Sequence, residues 1–109
     1  MADPKSELDT LFHALGDPTR RAIVERLSER PHSVSALAAP LGVTLTAVAQ
    51  HLQILETAGL VRTEKLGRVR TAQIDSKGLD RLEQWTRERR GVWDRRIDRL
   101  ARVLGGEDG

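Results

Sequence analysis

The stretch from Val43 to Val61 reads as an amphipathic helix whose wet side carries Thr46, Gln50, Gln53 and Thr57, amides and hydroxyls, and no formal charge until Glu56. An ordinary solvated helix fills such positions with Lys, Glu and Arg, which combine helix propensity with solubility, and the rest of this chain uses them freely. At about 100° per residue, Thr46, Ala49, Gln50, Gln53 and Thr57 share one arc. Leu45, Val48, Leu52 and Leu55 share the opposite one, flanked by His51, Ile54 and Ala58. Uncharged amides and hydroxyls are what base edges in a DNA major groove select. Gln pairs bidentately with adenine, Thr reads either kind of base, and an Ala methyl meets the thymine methyl. The candidate contacts on this helix are Thr44, Thr46, Ala47, Ala49, Gln50 and Gln53.

Cations follow directly. Residues 60–74 carry Arg62, Lys65, Arg68 and Arg70 against Glu64 alone, with Arg68 beside Gly67 at a turn. Phosphate contacts position a protein on DNA and base contacts give it sequence preference. Affinity would then come largely from this basic stretch and selectivity from the helix. A merely solvated helix and an ordinary basic hairpin would account for each feature separately, but their adjacency favours one surface for double-stranded DNA.

The elements that must position these residues are readable from periodicity and caps. Leu8, Leu11, Phe12 and Leu15 recur at helical spacing after Ser6, which is expected to cap that helix with Asp9 three residues on, and Gly16 ends it. Asp17-Pro18 opens a second helix with Ile23, Val24 and Leu27 inward, stopped by Pro31. Ser33 caps a third, with Val34, Leu37, Ala38 and Leu41 as its inner face and Pro40 awkwardly near its end. Gly42-Val43 turns the chain, Thr44 caps the next helix, and Gly59 closes it. Residues 60–65 and 69–74, joined by Leu66-Gly67-Arg68, alternate as a two-stranded hairpin. Residues 78–104 form one long helical pattern. A short helix, a Gly-containing turn and a longer helix is the order of a helix-turn-helix, and the hairpin behind it makes it winged. The expected fold is mainly α with a small two-stranded β-wing, in the order α1-α2-α3-α4-β-β-α5. The helix-turn-helix spans about 34–58, the wing 60–74 and the last helix 78–104 of one domain over 1–109.

Composition narrows the function. The 109 residues are 39% hydrophobic and 31% charged with net charge +2, enough for one small domain with a modest core. No apolar run approaches the ~20 residues that span a bilayer, and MADPKSELD lacks the basic start and apolar stretch of a signal peptide. A cytoplasmic location with no membrane partner is the expectation. The absence of Cys removes disulfides, thiolate metal sites and thiol redox sensing. His13, His32 and His51 are scattered and lack the paired spacing of a zinc site, so no metal or other cofactor is expected. Nothing resembles a phosphate-binding Gly loop. The nearest hint of a catalytic cluster, Ser28 to Ser33 around His32, reads as a loop between helices with two caps, which argues against an enzyme.

The last helix raises the quaternary question. Its stripe of Leu79, Leu82, Trp85, Val92, Trp93, Ile97, Leu100 and Leu104 exceeds what so small a domain can cover, and is expected to pack against a copy of itself. Trp85, Val92, Trp93, Ile97 and Leu100 are the interface candidates. Arg89 and Arg96 project into the same arc and need carboxylate partners or a solvated seam.

Several runs together carry a family likeness: Leu15-Gly16-Asp17-Pro18-Thr19-Arg20-Arg21-Ala22-Ile23, Leu41-Gly42-Val43-Thr44, Ala47-Val48-Ala49-Gln50-His51-Leu52, Leu55-Glu56-Thr57-Ala58-Gly59-Leu60-Val61 and Gly67-Arg68. In this order they resemble the ArsR/SmtB family of dimeric winged-helix bacterial regulators, over roughly residues 11–74. The ending from Leu82 to Leu100 resembles a branch of that family without known metal ligands. The resemblance implies residues 44–58 as recognition helix and a homodimer built from the first and last helices, which adds Leu8, Leu11 and Phe12 to the interface. The chain departs from the family at Ala49, where Ser is frequent, and at Thr46, where many members have Pro. Metal-sensing members carry Cys near positions that are Ser33 and Ser35 here, and a second family site uses His on a last helix that has none in this chain. The expected function is a homodimeric repressor on an inverted-repeat operator. An activator, or a winged-helix module that contacts another protein, stays open, and the effector is not specified by the residues.

Overall fold

The computed structural model describes residues 3–105. The chain order is α1 (Pro4–Leu15), α2 (Pro18–Glu29), β1 (His32–Ser33), α3 (Val34–Leu41), α4 (Leu45–Thr57), β2 (Val61–Leu66), β3 (Val69–Ile74) and α5 (Ser76–Leu104). Local capping fixes most boundaries. Asp17 accepts from the Arg20 N–H at 3.0 Å, Ser33 from Ala36 at 3.3 Å and Thr44 from Ala47 at 3.0 Å, each supplying an acceptor to an otherwise orphan helix N–H. At the far ends of α3 and α4, Gly42 and Gly59 take φ of +65° and +74°, conformations that cost glycine little. There Val43 N–H bonds back to Ala38 O and Leu60 N–H to Leu55 O, so both turns are closed by the backbone itself.

Three boundaries differ from the sequence expectation. Asp3, not Ser6, caps α1, with Pro4 as its first residue, because Pro tolerates the first turn and Asp3 supplies the acceptor. Asp75 caps α5, which starts at Ser76, two residues before the expected Gly78. The wing also gains a strand: His32 pairs with Ala72 and Ser33 with Thr71, giving a three-stranded antiparallel sheet in the order β1-β3-β2 instead of a two-stranded hairpin. Pro31 ends the preceding helix and leaves the chain extended beside β3 before α3 begins, so the short loop supplies the third strand.

The core lies where α1 to α4 meet the sheet, with Ile23, Leu37, Val48, Leu55, Leu60 and Val61 fully enclosed. Leu11 belongs to it, at 2% exposure, so its assignment to a dimer interface is corrected: the protomer already covers it. Leu45 departs in the other direction. As the first residue of α4 it projects past the core and is 53% exposed, although it shares an arc with Val48 and Leu52. Leu8 is half-buried against the core, and Phe12 stays exposed with its ring edge-on to Trp85 at 5.5 Å.

The second half of α5 leaves the body. With 29 residues at 1.5 Å each the helix is about 43 Å long. The molecule measures 70 × 33 × 20 Å. Its radius of gyration of 19.5 Å compares with about 13 Å for a compact chain of this size. Among the described residues no single helix is long and apolar enough to cross a membrane.

Candidate nucleic-acid interface

The turn at Gly42-Val43-Thr44 sends α4 off at 112° to α3, inside the range of about 90–120° that defines a helix-turn-helix. Burial then sorts α4 by face. Val48, Leu52 and Leu55 pack inward, while Thr46, Ala49, Gln50, Gln53 and Thr57 are exposed along the outer side. Thr44 is exposed too, and since its Oγ accepts from Ala47 its O–H is left as a donor. Ala47 is half-buried, and Thr57 turns its hydroxyl onto Gln53 O at 3.0 Å, so neither side chain presents a polar group outward.

Glu56, the single charge on this outer side, is explained by the wing. Its Oε1 accepts from Thr63 N at 2.8 Å and from Thr63 Oγ at 2.6 Å, and Arg70 Nε donates to the same Thr63 Oγ at 3.4 Å. This chain of bonds ties the last turn of α4 to β2 and β3 across a cleft of about 310 Å³ that Ala49, Gln53, Glu56, Thr63 and Arg70 line. The carboxylate spends its charge on the wing, and the outward face of α4 stays uncharged. Sequence reading missed this role, although a lone charge on an otherwise neutral arc was a signal that could have found it.

Strand register divides the four wing cations. Lys65 pairs with Arg70 and Thr63 with Ala72, so these side chains share the side that faces α4. Arg62 pairs with Gln73 on the opposite side, in company with Glu64. Arg68 sits at the tip, after Gly67 at φ +63° in the two-residue turn between Leu66 and Val69. The register thus turns Lys65 and Arg70 to the side that faces α4 and Arg62 away from it, with Arg68 at the wing tip.

Similarity to known proteins meets this geometry. A helix-turn-helix domain family matches residues 15–64. The chain is 46% identical over 84 residues to the HTH-type transcriptional regulator Rv2034 of Mycobacterium tuberculosis, covering 72% of this chain and 78% of that protein. It belongs to the ArsR/SmtB family. The HTH-type transcriptional repressor SmtB of M. tuberculosis is 43% identical over 60% of this chain and 50% of its own length. An ArsR-like transcriptional regulator from Rhodococcus sp. RHA1 superposes with a TM-score of 0.81 at 31% identity, covering 94% of both chains. The protein is a winged helix-turn-helix DNA-binding transcriptional regulator.

In this ArsR/SmtB-type regulator Ser33 and Ser35, the serines near where metal-sensing members carry Cys, stand at the start of α3. Ser33 caps α3 and its Oγ lies 3.5 Å from Ser35 Oγ. Among the described residues no group of three or more His, Asp or Glu side chains gathers as a metal site. One polar cluster was not legible beforehand. Arg20, 9% exposed, donates from Nε to Ala14 O at 2.7 Å and from Nη2 to His13 O at 3.0 Å, and its Nη1 stands 3.4 Å from His51 Nδ1 on α4. Beside it the Arg20 backbone N–H holds the Asp17 carboxyl below its ordinary range, with the nearby Arg20 guanidinium adding to the effect against a smaller desolvation.

Proposed function

We propose that this regulator is a homodimer that occupies a two-fold symmetric operator and represses the gene behind it. The observation that carries the reading is the uncharged outer side of α4 lying beside wing cations turned to the same side. Gln50 and Gln53 read base edges, with the methyls of Thr46 and Ala49 beside them; the Thr44 hydroxyl, Lys65, Arg68 and Arg70 hold phosphates. Ala47 supports the helix from its half-buried side. Arg62 faces away and is not part of this surface.

The dimer follows from the projecting half of α5. Val92, Trp93, Ile97 and Leu100 are exposed there, Trp93 at 58%, in a stripe that continues from Trp85 and Phe12. An apolar ridge of this length standing in water is the mark of an interaction surface, and pairing with the same ridge of a second copy would cover it. Leu8 lines the α1 end of that surface. Arg89 stacks over the Trp85 ring at 5.3 Å and Arg96 lies one heptad further on, both at the seam. Such a dimer sets two recognition helices in successive major grooves about 34 Å apart. The protein works by occupancy and not by turnover, in the cytoplasm where the bacterial chromosome lies, and SmtB, a repressor by name, supports the sign of the regulation.

Selection of genomic fragments by the purified protein at physiological salt, followed by footprinting, tests the reading. Protection of a two-fold symmetric site of about two helical turns is expected. Retention without sequence preference would move the function to a protein partner.

A further inference from the structure

We infer that Arg20 and His51 form a positioning pair that sets the orientation of the recognition helix, acting through the Nδ1 acceptor of His51. The inference rests on the DNA-reading role of α4 proposed above. Arg20 is nearly enclosed, and a guanidinium is a donor only and is always charged. Two of its arms are fixed by carbonyls at the end of α1, at 2.7 Å and 3.0 Å. The third arm points at His51 Nδ1, 3.4 Å away. Facing a donor-only group, Nδ1 has to be the unprotonated nitrogen, which places the ring hydrogen of neutral His51 on Nε2.

The consequence is directional. His51 follows Gln50 immediately and lies two residues before Gln53, so a bond to its ring resists rotation of α4 about its own axis. The α1 end that anchors Arg20 also carries Phe12, packed on Trp85 of α5. One buried cation therefore references the base-reading face to the helices proposed to build the dimer. Asp17, whose carboxylate accepts from the Arg20 N–H at 3.0 Å, holds the start of α2 in place beneath it. The guanidinium and the Asp17 carboxylate are the charged groups that face His51 from this side.

Two substitutions separate this role from simple packing. In His51→Asn the amide oxygen can stand where Nδ1 stood, whereas His51→Leu fills the space without an acceptor. Binding of the intact protein to its selected operator and to unrelated duplex, measured alongside thermal melting, gives the specificity ratio of each variant. We expect His51→Leu to lose about tenfold in operator affinity, the scale of one hydrogen bond from a charged donor, with binding to unrelated duplex unchanged. His51→Asn should restore the ratio. Equal operator affinity for His51→Leu and the parent, or failure of His51→Asn to restore it, overturns the inference. Should His51→Leu fail to fold, imidazole 15N spectra of the unsubstituted protein decide: the Nε2–H tautomer is required, and the Nδ1–H tautomer refutes the contact. A parent protein without operator preference would instead refute the DNA-reading role, a distinguishable result, and the inference falls with it.

Discussion

Arg62 and Arg68 remove the same charge when replaced by Ala, stand six residues apart, and should behave differently. Arg68 is at the wing tip, whereas the register with Gln73 puts Arg62 on the strand face turned from α4. Each phosphate neutralised on B-DNA contributes about −0.9 to the slope of log K against log salt. The proposed dimer would use each wing residue twice, so Arg68→Ala should flatten the slope by about 1.8 and Arg62→Ala by about zero. Raising salt from about 50 to about 200 mM should then weaken the parent about twelvefold more than Arg68→Ala. Fluorescence anisotropy of a labelled operator over that salt range reads the slope directly. If Arg62→Ala flattens it as much as Arg68→Ala does, binding responds to net charge and the register argument is wrong. If neither changes it, the wing does not touch the backbone.

Gln50→Ala should cost about 1–3 kcal/mol on the operator and almost nothing on unrelated duplex, in the same anisotropy assay; an equal loss on both would remove Gln50 from base reading. Ile97→Glu should convert the protein to a monomer in analytical ultracentrifugation, and a retained dimer would place the interface elsewhere than α5. Gly78→Ala should lower thermal stability, because the new Cβ would stand 2.8 Å from Gly59 O and 2.9 Å from Leu60 Cδ2, one of them backbone that cannot turn aside. Overpacking costs about 1–3 kcal/mol, which outweighs the gain of up to about 1 kcal/mol from replacing Gly in a helix. Asp17→Asn keeps a capping acceptor but cannot ionise. Since the folded carboxyl titrates below its ordinary 3.8, its stabilisation is present above that value and lost as pH falls through the lower one. The parent should therefore melt higher than Asp17→Asn near neutrality, and the gap should close in strong acid; a gap independent of pH would refute the ionic contribution.

Much of what depends on neighbours a few residues apart was legible in the sequence, although the Asp3 and Asp75 caps were not. The Asp17, Ser33 and Thr44 caps bond to an N–H three residues on, the Gly42 and Gly59 turns close on their own helices, and the neutral arc of α4 follows from helical period alone. The turn between β2 and β3 was equally local. At the start of α1 the sequence pointed to Ser6 with Asp9, whereas Asp3 followed by Pro4 caps the helix.

Contacts between distant residues were decided only by the tertiary structure. Two residues after Pro31 become a strand because β3, some forty positions later, offers them an open edge. Leu8, Leu11 and Phe12 share helical spacing, but only the packed body shows that Leu11 is inside and Phe12 outside. Four wing cations look equivalent in one dimension; pairing register, with its period of two, splits them between two faces. Arg20 reads as one of many arginines until the fold brings the end of α1 and His51 within reach of one guanidinium. Periodicity and capping are short-range properties that the chain carries everywhere, whereas burial, register and the partners of a long side chain exist only once remote segments meet.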